Sequence, residues 1–216
     1  MDPLHLCIAL GPLAAYLLLL GTLNLSRRPF ITTGLRDSAA LGIAIGGFVV
    51  AGPMELFLPE RAAVTLGVWV WPLFIGLYLL CLTLVVLLAR PRIVIYNCSF
   101  EQLRPTLMEA VARLDPEARW AGESLVMPTL GVQLTVEPLL IMKNVQLVAA
   151  GVGQNFHGWR RLESELAASL RHVKGTPNPY GISLVTFGLF MAGSIVFWLT
   201  RDPQGVADAW DEMLRR

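Results

Sequence analysis

The chain has 216 residues, 55% of them hydrophobic and 15% charged, with a mean hydropathy of +0.58 and a formal net charge of +1. Soluble domains carry about 25% charge, so this composition belongs to the membrane class, and a balance so close to neutral argues against nucleic acid or a strongly acidic molecule as partner. Cys7, Cys81 and Cys98 are scattered, odd in number and without metal-ligand spacing, which predicts neither a disulfide nor a zinc site; no cofactor is expected.

Pro3 to Ser26 carries no charge and follows Met1-Asp2, with no basic leader and no small-residue cleavage site behind the apolar core. A retained membrane span over about 4–25 is expected, not a cleaved signal. About 20 apolar residues at ~1.5 Å each cross a hydrocarbon core of roughly 30 Å. Ser26-Arg27-Arg28-Pro29 ends that span and opens an arginine-rich loop to Asp37.

A second span, about 38–58, is rich in glycine, with Gly42 and Gly46 spaced as GxxxG and Gly47 and Gly52 following. Small residues let two helix backbones approach in lipid, so this reads as a packing helix, although glycine is common in membrane helices generally. Glu55 is the one acidic residue inside a span, beside Pro53, which should kink the helix. Its favoured reading is interfacial, satisfied by water or Arg61; the sharper reading is an ion or proton site.

The third span, about 63–89, is the plainest. Ala62 to Ala89 has no charged residue, places Trp69 and Trp71 at interfacial level, and stops at Arg90-Pro91-Arg92.

From 91 to 175 the pattern becomes that of a soluble domain. Ile93 to Tyr96 reads as a buried strand. Ser99-Phe100-Glu101-Gln102 fits a capping box, followed by a helix whose apolar stripe is Phe100, Leu103, Leu107, Val111 and Leu114, with Pro105 as a possible start of its regular part. Strands are predicted at 118–121, 124–127, 131–137 and 145–150, with strict alternation in Val132 to Glu137 and a turn at Pro128 to Gly131. Leu139 to Met142 extends a hairpin or forms an apolar loop, the hairpin being favoured. A second helix, about 156–173, carries the stripe Phe156, Trp159, Leu162, Leu166, Leu170 and Val173. The expected module is α+β, β-α-β-β-β-α with about four strands, a mainly antiparallel sheet and both helices on one face.

Gly175 to Thr200 is a fourth uncharged run, giving a span over 176–200. Asp202-Pro203 then caps a short amphipathic helix within 201–216, with Val206, Trp210, Met213 and Leu214 on one face.

Basic residues flanking the spans number seven on one side (Arg27, Arg28, Arg36, Arg90, Arg92, Arg171, Lys174) and four on the other (Arg61, Arg201, Arg215, Arg216). The positive-inside rule places the 91–175 domain in the cytosol and both termini outside. Only Lys143 and Lys174 are lysines among 17 basic residues, which fits a GC-rich bacterial genome and so an inner-membrane location.

Candidate contacts for an anion or lipid headgroup are Arg27, Arg28, Arg90 and Arg92 at the span ends, and Arg160 and Arg161 one turn into the second helix, whose N-terminal N–H groups also favour an anion. Gly151-x-Gly153 before that helix lacks the third glycine and the Lys-Ser/Thr pair of a phosphate loop. His157 has no partner in the sequence, and Cys98, beside a capped helix, reads as an inert buried thiol before a reactive one. The favoured function is a non-enzymatic membrane-anchored module that binds a partner protein or assembles as a homo-oligomer. A transport or channel component using Glu55 is second. A membrane enzyme acting on a lipid or lipid-linked substrate is third, opposed by the lack of paired carboxylates, a nucleophile-base arrangement or metal ligands.

Overall fold

The structure, a computed structural model, describes residues 3–54, 67–139 and 143–215. In chain order its elements are α1 (Pro3–Leu25), β1 (Phe30–Thr33), α2 (Gly34–Val49), α3 (Val70–Leu88), β2 (Arg92–Tyr96), α4 (Phe100–Leu114), β3 (Arg119–Ala121), β4 (Ser124–Met127), β5 (Val132–Leu139), β6 (Asn144–Ala149), α5 (Phe156–Leu170), α6 (Tyr180–Arg201) and α7 (Pro203–Arg215). They form two compact units. A helical unit comprises Met1–Leu20, Ser38–Leu88 and Ser183–Arg216, and a sheet unit comprises Gly21–Asp37 and Ala89–Ile182.

Four helices, over Leu4–Leu25, Gly34–Gly52, Val70–Leu88 and Tyr180–Arg201, are long and apolar enough to cross a membrane. In α3, Leu80, Val85, Leu87 and Leu88 are exposed around the helix, so it has no polar face to offer water. The α2 glycines act at close approaches. A Cβ at Gly42 would run into Leu82, one at Gly46 would press on the Tyr78 ring, and one at Gly47 would meet the Ile8 carbonyl, whereas Gly52 faces open space. Tyr78 adds a hydroxyl donated to the Gly42 carbonyl at 2.5 Å. Regular α-helix ends at Val49 and widens into a π-turn over Val50–Met54 that contains Pro53, a residue with no N–H to give the helical ladder. Glu55 and Arg61 lie outside the described residues, as does the expected start of the third span near 63; α3 proper begins at Val70, behind a 3-10 turn at Gly67–Trp69. Asp202 caps α7 as expected, its Oδ1 accepting the Gly205 N–H at 2.9 Å, with Pro203 at the first helical position.

The sheet unit holds six antiparallel strands in the order β1-β2-β6-β5-β4-β3. Its core lies on one face, where Ile93, Ile95, Leu125, Met127, Leu134 and Leu147 meet Leu103 and Leu107 of α4 and Leu162 and Leu166 of α5. The expected capping box forms: Ser99 Oγ accepts the Gln102 N–H at 3.4 Å, and Gln102 Oε1 accepts the Ser99 N–H at 3.2 Å. With the first turn so fixed, α4 is regular from Phe100 and runs through Pro105 instead of starting there.

The segments expected as strands at 118–121 and 124–127 form a hairpin at one edge of the sheet, and each counts as a strand of its own. Phe30–Thr33, expected to be part of a loop, departs from expectation and pairs with β2 in the register Phe30↔Tyr96 to Thr33↔Ile93. The sheet therefore has six strands where about four were expected. The β5–β6 pairing runs to Leu139↔Asn144, the hairpin arrangement; residues 140–142 themselves are outside the described set.

Asparagines tie the ends of α1, β2 and α6 together. Asn24, Asn97 and Asn178 are buried. Asn97, at φ 57, donates its Nδ2 to the carbonyls of Leu23 and of Ser26. The Asn178 N–H donates to the Asn24 carbonyl at 2.8 Å and the Gly175 N–H to the Arg27 carbonyl at 2.9 Å. Asparagine suits position 97 because its short amide satisfies buried carbonyls and tolerates the left-handed backbone, while Asn178 Oδ1 accepts the Tyr180 N–H at 3.1 Å.

Candidate functional site

Two clefts open at opposite ends of β4. One, of about 490 Å³, is lined by Thr129, Leu130, Asn155, His157, Gly158, Arg160, Arg161 and Ser164. Asn155 caps α5, its Oδ1 accepting the His157 N–H at 2.9 Å, so the first turn of the helix is fixed beside two arginines. Arg160 and Arg161 are exposed, and among the described residues neither makes an ion pair. The acids further along α5 are engaged elsewhere: Glu163 with Arg36 at 3.5 Å and Glu165 with Arg113 at 2.9 Å. No carboxylate lines the cleft among the described residues, which leaves it cationic.

Its far wall, the turn after β4, is held by Asp115. This buried carboxylate accepts the Thr129 N–H at 2.8 Å, the Thr129 hydroxyl at 2.9 Å, the Leu130 N–H at 3.4 Å and the Glu117 N–H at 3.0 Å. Burial alone pushes the carboxyl up, but the hydrogen bonds outweigh it and hold Asp115 below the usual carboxylate range. Gly158 lets α5 lie directly against this turn, since a Cβ there would meet the Leu130 carbonyl.

The loop leading to α5 is braced as well. Gln154 Oε1 accepts the Gln133 N–H at 3.2 Å and the Trp159 indole N–H at 3.0 Å, while its Nε2 donates to the Ala150 carbonyl at 2.5 Å. Between these anchors Gly151 and Gly153 take φ of 77 and 80, which lifts Val152 to 98% exposure. Phe156, expected in the buried stripe of α5, is instead 72% exposed: at the first helical position it projects ahead of the core that Trp159 and Leu162 reach.

The second cleft, of about 330 Å³, lies between α4 and the β3–β4 hairpin, lined by Phe100, Arg104, Met108, Trp120, Gly122 and Glu123. Trp120 is 38% and Met108 49% exposed. β3 is a terminal strand, so one of its edges has no strand partner among the described residues. Trp120 is not singled out by the sequence alone; its signal was a tryptophan next to Arg119 in a three-residue strand that a glycine ends.

With both surfaces in view, comparison with known protein families, curated proteins and solved structures finds no match.

The six candidate arginines are not gathered in one place. Arg27 and Arg28, both exposed, follow α1 at the Tyr96 end of β2. Arg90 and Arg92 lie at the other end of β2, where Arg92 is 3.7 Å from Asp37, whose other oxygen accepts the Tyr96 hydroxyl at 2.6 Å. Gly34 makes room for the Arg92 stem, so this arginine is part of a packed ion pair more than an open headgroup contact. Arg160 and Arg161 share the cleft of about 490 Å³. Cys98 is fully buried, and burial pushes its thiol up to about 11, the reverse of what a reactive thiol beside a helix start needs. Among the described residues no group of three or more His, Cys, Asp or Glu is placed to hold a metal.

Proposed function

We propose that the chain is a membrane-anchored interaction module, in which four membrane-spanning helices carry an α+β domain that docks a partner protein in the cytosol of a bacterial cell. The partner is taken to be an extended segment that adds to the open edge of β3 and lodges an apolar side chain in the adjoining cleft. One observation carries this reading: exposed Trp120 and Met108 flank an apolar cleft of about 330 Å³ beside a terminal strand. Tryptophan in such a setting supplies a large apolar contact with little side-chain entropy to lose, which is why it anchors protein interfaces. Arg104 and Glu123 at the rim offer one charge of each sign to set the register of the incoming segment.

The test is native mass spectrometry of the full-length protein extracted in mild detergent. A protein retained at fixed stoichiometry by the wild type and lost from Trp120→Ser/Met108→Ser supports the reading. Retention unaffected by that double substitution, or no protein retained at all, contradicts it.

A further inference from the structure

The Trp120 surface leaves unexplained the pair of exposed apolar side chains at the start of α5 and the loop before it. Val152 is 98% exposed and Phe156 72% exposed, and neither belongs to a floppy segment: Gln154 bonds to Gln133, Trp159 and Ala150, and the Asn155 N–H donates to the Gly131 carbonyl at 3.0 Å. A fold that spends a three-way brace on holding a valine in water is keeping it for contact. One turn along α5 from Phe156 come Arg160 and Arg161, which line the cleft together with His157, and the acids of the same helix are tied to Arg36 and Arg113.

We propose that this braced tip docks on an anionic phospholipid surface, with Val152 and Phe156 entering the headgroup layer and Arg160 and Arg161 pairing with lipid phosphates. A projecting apolar tip backed by uncompensated arginines matches the two layers of a membrane face, apolar inside and anionic at the surface, in that order. A protein interface of ordinary size would call for a broader apolar patch than one valine and one phenylalanine. The proposal needs membrane anchorage but not the Trp120 surface, so either can fail alone.

The test uses the full-length chain with Val152→Cys carrying an environment-sensitive fluorophore. Cys7 and Cys81 are replaced by alanine, and Cys98, buried with its thiol pushed up to about 11, stays unlabelled. The protein is placed in phosphatidylcholine nanodiscs, in discs that also contain phosphatidylglycerol, and in neutral discs titrated with phosphatidylglycerol-containing vesicles. Expected is a blue shift in either anionic setting that is reversed by high salt. Arg160→Gln/Arg161→Gln should weaken the vesicle titration roughly 25-fold, at about fivefold for each arginine near an anionic surface, with Arg160→Lys/Arg161→Lys restoring it. A probe that stays in water in both anionic settings overturns the proposal. So does a blue shift already present in neutral discs, which would mean a protein contact at this tip, or a shift indifferent to the arginines.

Discussion

Helices α4 and α5 begin alike. Each is capped by the polar side chain of the residue before it and has a phenylalanine at its first position that continues the apolar stripe, yet Phe100 packs against the core while Phe156 stands 72% exposed. The difference lies in what surrounds the two starts. Beside Phe100 the β3–β4 hairpin brings up Trp120 and Gly122, which close an apolar cleft over it. At the start of α5 the Gly151–Gly153 loop is braced by Gln154 and leaves Val152 98% exposed, and the turn held by Asp115 meets α5 at Gly158, past Phe156. A helical stripe thus says which way a residue faces, and the neighbouring loop decides whether anything is there to meet it.

The sharpest way to break this comparison is to remove the support on the α5 side. Asp115→Ala leaves three backbone N–H groups and a hydroxyl without their acceptor, and should cost about 3 kcal/mol or more of sheet-unit stability, measured by chemical denaturation of the full-length protein. The same carboxylate sets an acid limit. Its folded pKa lies below the unfolded value of about 3.9, so its contribution is full above that pH and is lost as pH falls through the folded value. Asp115→Ala should therefore flatten the acid limb of the stability profile, and an unchanged limb would contradict the assignment.

Next in size, Phe100→Ser should cost about 2 kcal/mol through lost apolar burial, whereas Phe156→Ser should stay within about 0.5 kcal/mol of wild type by the same measurement. Equal costs would mean that Phe156 is buried after all. Smaller again, Gln154→Ala should cost about 1 kcal/mol while speeding amide exchange over 150–155, the signature of a lost brace. Finally, Cys98 should resist alkylation in the folded protein at neutral pH and react only on unfolding, because its thiol stays protonated until pH approaches about 11.

Much of the fold was legible where a local rule sufficed. Uncharged runs marked the four long helices, the Ser99–Gln102 spacing marked the cap, and alternation in Val132 to Glu137 marked a half-buried strand. What stayed hidden depends on partners distant in sequence. Phe30–Thr33 is too short to signal a strand, and becomes one only because β2, far along the chain, offers its edge. Asn24, Asn97 and Asn178 look like turn residues until the chain brings their backbones together. At the clefts, Arg160 and Arg161 were visible as a pair beside a helix start, whereas Trp120, Val152 and Asp115 were not, since exposure and convergence of hydrogen bonds belong to the tertiary fold.

The central claim, that the Trp120 cleft receives a partner protein, is tested most directly by replacing Trp120 with a photoreactive phenylalanine analogue and irradiating intact native membranes. The account predicts a crosslink to one protein of defined mass, absent when the analogue is placed at exposed Glu137 on β5, which β4 separates from the β3 edge. Crosslinks to lipid alone, or none, would contradict it.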